Sequence, residues 1–95
     1  MSKVNLKIKC SDLDIFGNSD CPDTIFISEV EDDDVSSATK KFKEKVREHF
    51  YSQYHKNDSR FGNADELSKF LDNNERVIKD TLYSDKTQKE KISNY

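Results

Sequence analysis

Val4, Leu6, Ile8 and Cys10 alternate with Asn5, Lys7 and Lys9. Successive side chains of a β-strand point to opposite faces, so this spacing predicts a strand with one apolar and one polar face. Residues 11–23 break the alternation with Gly17, Asn18, Pro22 and six Ser or Asp residues, interrupted by Leu13, Ile15 and Phe16. They predict a long connection, or a short extra strand over 12–16 followed by a turn. Consecutive β-formers Ile25, Phe26 and Ile27 predict a second strand over Thr24–Val30, antiparallel to the first.

Beyond Glu31-Asp32-Asp33-Asp34 the period changes. Val35, Ala38, Phe42, Val46, His49 and Phe50 fall within one helical arc of about 120°, which predicts an amphipathic helix from about Val35 to Tyr54, its start favoured by the preceding carboxylates. Lys56 to Gly62 predicts a loop, with Phe61 anchoring it to the core. Asn63-Ala64-Asp65-Glu66 has the form of a capping box with Asn at the cap. Leu67, Phe70, Leu71, Val77, Ile78 and Leu82 then predict one continuous helix to about Tyr83. The pattern stops at Ser84. Residues 84–95 are expected to be a polar tail, frayed helix or disordered, after a single α+β domain over 1–83: a small antiparallel hairpin or three-stranded sheet followed by two amphipathic helices, in ββαα order.

Composition narrows the class. Of the 95 residues, 33% are apolar and 37% charged, polar for a folded domain but with aromatics enough for one small core. No apolar run approaches the ~18 residues that span a bilayer, and Met1-Ser2-Lys3 leads straight into the alternating strand, so a cytoplasmic protein without membrane contact is expected. Cys10 and Cys21 are too few for a disulfide scaffold; in a reducing compartment they stay thiols, and one bridge across their 11-residue separation can form if the compartment is oxidising.

Charge sharpens the picture. From Cys10 to Thr39 there are nine acidic residues and no Lys or Arg, whereas residues 40–62 hold seven basic residues against three acidic ones. The net charge of −3 conceals that polarity.

Candidate chemistry is sparse. Asp12 to Asp23 places acids and Gly17 at several calcium-loop positions, but Phe16 occupies a ligand position and the preceding segment reads as a strand. His49 and His55 would diverge along a helix, and the cysteines lie too far apart for a zinc site. Cys21 sits among acids that disfavour its thiolate. His49 lies on the apolar arc, as a core or boundary histidine would. Two glycines, Gly17 and Gly62, make no phosphate cradle. The expectation is a protein that is not an enzyme, with no catalytic residues, metal or cofactor.

Two surfaces remain. Asp12, Asp14, Asp20, Asp23, Glu29, Glu31, Asp32 and Asp33 would form an acidic face for a larger protein with a basic, nucleic-acid-handling surface, occluding it as a nucleic-acid mimic. Small size, polarity and a Lys/Asn/Asp/Ser-rich composition fit an inhibitor encoded by a phage or mobile element, acting in the host cytoplasm. The alternative is a nucleic-acid or regulatory face of Lys40, Lys41, Lys43, Arg47 and Tyr51. Glu44 and Glu48 are spaced to pair with Lys40, Arg47 and Lys45 within that face, and overall acidity opposes nucleic-acid binding. A third reading is a self-assembling protein, a homodimer completed through a sheet edge.

Overall fold

A computed structural model describes residues 3–13, 22–53 and 61–92. Strand β1 (Lys3–Lys9) pairs antiparallel with β2 (Thr24–Glu31), as the two alternating segments predict. A helix α1 (Val35–Gln53) follows, then α2 (Ala64–Asn73) and α3 (Glu75–Leu82). The chain closes with β3 (Gln88–Lys91), antiparallel to β1, giving a three-stranded sheet of order β2-β1-β3. This is an α+β fold with helices on one face of the sheet.

The core follows the apolar periods. Val4, Leu6 and Ile8 from β1 and Ile25, Ile27 and Val30 from β2 are buried against Ala38, Phe42, Val46 and Phe50 of α1, Leu67 and Leu71 of α2, and Ile78 and Leu82 of α3. Phe61 packs on this core, its ring centroid 5.0 Å from that of Phe70. The opposite sheet face is polar: Lys3, Lys7, Lys9, Gln88 and Glu90 are exposed beside one large apolar side chain among the described residues, Phe26.

The fold alters the sequence-based picture in four places. Of the extra strand expected over 12–16, Asp12 belongs to a 3₁₀ turn over Cys10–Asp12 and Leu13 is buried, while residues 14–16 lie outside the described residues. The third strand comes instead from the expected tail, because the central β1 has a second edge to pair and the all-polar QKEK segment can lie on it without burying its own side chains. The single second helix is two. Asn74 turns its side-chain amide back onto the Phe70 carbonyl (2.8 Å) and leaves helical geometry at φ −109°, ψ 17°, the local competition with backbone bonding for which Asn is known. That break resets the helical phase, so Ile78 and Leu82 face the core while Val77 stays 39% exposed. Finally, Cys10 is disulfide-bonded; the chain's other cysteine, Cys21, lies outside the described residues.

The predicted helix start holds, with one adjustment. Asn63 Oδ1 accepts from the Glu66 N–H (2.9 Å), and the Glu66 carboxylate reaches back to the N–H of Gly62 (2.7 Å), one residue before the cap.

Candidate binding surfaces

The acidic run after β2 is first a turn. The Asp34 N–H donates to the Glu31 carbonyl (3.0 Å), and Asp33 adopts the left-handed region at φ 72°, which Asp tolerates better than most residues. Asp34 Oδ1 then accepts from the Ser37 N–H (3.0 Å), so this carboxylate caps α1. Asp32 is engaged too. Lys89 of β3 donates to it at 2.6 Å, and this bond, with the charges of Lys89 and Lys91, holds the Asp32 carboxyl below its usual range; the same bond, with the charges of Asp32 and Asp33, raises the pKa of Lys89. Lys89 also lies 5.8 Å from the centre of the Tyr83 ring. The Tyr83 hydroxyl is buried without a hydrogen-bond partner among the described residues; burial pushes its pKa up, Lys89 opposes this, and the nearby aspartates add to it.

Lys89 and Tyr83 are therefore site residues that sequence reasoning missed. Both fell at or beyond the end of the second periodic segment, and only the pairing of β3 with β1 carries Lys89 to a residue 57 positions earlier.

The other predicted carboxylates are divided between the ends of the sheet. Asp12 and Asp23 lie where β1 leaves and β2 enters, joined through Cys10, whose N–H donates to the Asp23 carbonyl (3.2 Å). Glu31 and Asp33 sit at the opposite end, about 26 Å away at the rise of a strand. Glu29 lies between them in a bulge. Two residues of β2 oppose Asn5 there, Glu29 takes φ 56°, and its N–H donates to Asn5 Oδ1 (3.0 Å). Among the described residues, Asp12, Asp23, Glu29, Glu31 and Asp33 enter no ion pair. Asp14 and Asp20 lie outside the described residues.

The basic residues of α1 are not gathered on one face. Lys41 turns toward β2 and donates to the Ser28 carbonyl (3.0 Å). Lys43 turns the other way and bridges Asp72 and Glu75 of the neighbouring helices, each at 3.0 Å. Arg47 approaches Ser68 Oγ (3.4 Å). Lys40 and Tyr51 are exposed, Tyr51 by 59%, with its ring edge-on to Phe50. Three of the five alternative-face residues thus tie α1 to its neighbours.

Among the described residues, no group of three or more His, Cys, Asp or Glu is placed to hold a metal, and no helix is long and apolar enough to cross a membrane. The clefts along α1 are shallow; the one against α3, lined by the charged side chains of Lys40, Lys43, Glu44, Arg47, Glu75 and Lys79, is about 280 Å³. Comparison with protein-family models, curated proteins and solved structures finds no match.

Proposed function

We propose that this chain is a non-enzymatic binding protein whose acidic side occludes a basic, nucleic-acid-handling surface on a larger protein. The carrying observation is the set of carboxylates left without an ion pair among the described residues after the fold has taken Asp32 and Asp34: Asp23, Glu29, Glu31 and Asp33 follow the length of β2, with Asp12 beside Asp23. The segment from Cys10 to Thr39 supplies no Lys or Arg to neutralise them locally. A row of that kind competes for a groove built to bind phosphates, through long-range attraction and release of its counterions.

The nucleic-acid reading has less support, because Lys41, Lys43 and Arg47 are held in contacts within the chain. The disulfide at Cys10 favours an oxidising compartment over the cytoplasm, so the proposed host-cytoplasmic setting requires that bond to persist among reducing thiols.

A pull-down from lysate at low and high salt tests the proposal. The expected result is a nucleic-acid-handling partner that is released as salt rises, displaced by duplex DNA, and lost when Asp23, Glu29, Glu31 and Asp33 are neutralised to Asn or Gln. A partner whose affinity ignores both salt and neutralisation would overturn the electrostatic reading.

A further inference from the structure

The two edges of the sheet are not alike. β3 is short, and its residues are exposed and charged apart from Gln88, a common way of discouraging another strand. β2 is the other edge. Its pairing with β1 fixes which of its backbone groups point outward. Cys10 and Asp23 share a ladder bond, and bonded pairs alternate along an antiparallel ladder, so Ile25 and Ile27 bond to β1 while Thr24, Phe26 and Ser28 turn their N–H and C=O groups to the open side. The bond from Lys41 to the Ser28 carbonyl agrees with this assignment.

The open edge borders a groove of about 400 Å³ against α1, lined by Thr24, Phe26, Lys45, Glu48, His49 and Ser52. It runs into a second groove in which Ile27 and Ser28 face Lys41, Glu44, Lys45 and Glu48. Glu44, Lys45 and Glu48 have no ion-pair partner among the described residues. Phe26, the 56% exposed aromatic, stands at the centre of the open edge, with Lys7 5.4 Å from its ring centre. Outward-facing backbone groups, charges of both signs without an ion pair among the described residues, and an exposed ring therefore meet along one line.

We propose that this line is the interface of an isologous dimer, in which β2 pairs antiparallel with β2 of a second copy about a two-fold axis at Phe26. The second copy is the occupant because the surface is complementary to itself. An axis at Phe26 pairs each Thr24 with the other copy's Ser28 and sets the two Phe26 residues opposite one another, using the outward backbone groups over Thr24–Ser28. The same axis reverses the order of residues along α1 and brings Lys45 of each copy toward Glu48 of the other. Lys41 releases the Ser28 carbonyl to the incoming Thr24 N–H. The bulge at Glu29 bends the strand away, ends the pairing there and stops the edge from templating a longer one. The product is a six-stranded sheet with β2 strands at its centre.

Sedimentation equilibrium of the full chain and of two single variants, Lys45→Glu and Glu48→Lys, tests the proposal. Both sites are exposed, and circular dichroism checks that each variant is folded. The wild type is expected at twice the 11.1 kDa chain mass and each variant, which faces like charge across the axis, at the chain mass. An equimolar mixture of the two variants is expected to regain the doubled mass, because the all-acidic pair of positions on one variant then faces the all-basic pair on the other. Amide exchange of Phe26 should slow at least tenfold in the wild-type dimer relative to either variant. A wild-type monomer at high concentration, variants that remain dimeric, a mixture that stays monomeric, or a dimer in which Phe26 exchanges as fast as in the variants would each overturn the proposal.

Discussion

On the flank of α1 that faces the other helices, Lys43 reaches Asp72 and Glu75 and Arg47 reaches Ser68. On the flank that faces β2, Glu44, Lys45 and Glu48 make no ion pair among the described residues, while Lys41 donates to a backbone carbonyl. Both flanks are built from the same residue types a few positions apart. The difference is that one has carboxylates from another element within reach. Neighbouring charges on one helix gain only a few tenths of a kcal/mol from pairing, so a better-oriented cross-helix acceptor takes the lysine, and charges without one stay in solvent.

The largest way to break this contrast is to remove what both flanks rest on. Phe42 is fully buried between them, and Phe42→Ala is expected to cost about 3–5 kcal/mol in urea unfolding, enough to unfold a domain of this size. A loss under about 1 kcal/mol would mean that α1 does not depend on the core.

Next, Lys43→Met should cost about 1 kcal/mol, because the lysine is largely covered but both of its acceptors are exposed to solvent. Lys45→Met and Glu44→Gln should stay within about 0.5 kcal/mol. Equal losses on the two flanks would erase the distinction.

The same contrast has a pH signature. Burial works against the charge on Lys43, but its bonds to Asp72 and Glu75 outweigh this and raise its pKa; the Lys43 bond in turn holds Glu75 below its usual value. A carboxylate with a lowered folded pKa stabilises the protein fully above the unfolded value, near 4.3, and that contribution disappears as pH falls through the folded pKa. The stability gap between wild type and Lys43→Met should therefore narrow below about pH 4. At the alkaline end, the Lys43 contribution is complete below about pH 10.4 and is lost as pH rises through its raised folded pKa.

The smallest expected effect lies at the margin of the β2 flank. Glu29 holds φ 56°, a conformation that costs most residues about 1 kcal/mol and glycine little, so Glu29→Gly should be neutral to stabilising by up to about 1 kcal/mol in thermal unfolding. A clear destabilisation would mean that the Glu29 side chain makes a contact of its own.

The acidic segment repeats the lesson on a larger scale. In sequence Glu31, Asp32, Asp33 and Asp34 are four equivalent carboxylates. In the fold Asp34 caps α1, Asp32 is bound by Lys89, and Glu31 and Asp33 enter no ion pair among the described residues. The cap was legible because it depends on an N–H three residues away. The Asp32 partner was not, since Lys89 looked like part of an aperiodic tail. Likewise Phe26 read as one strand residue among three; only the face that α1 leaves uncovered marks it as different from Ile25 and Ile27, which are buried.

Local sequence sufficed for β1, β2, the apolar arc of α1 and the cap at Asn63, because periods of two and 3.6 residues and a capping bond are settled by near neighbours. Packing of distant segments set the place of β3 and the partner of Asp32. These depend on which surfaces the chain brings together. A polar strand such as Gln88–Lys91 carries no apolar period to announce it, and is a strand only because β1 presents an unpaired edge where it passes.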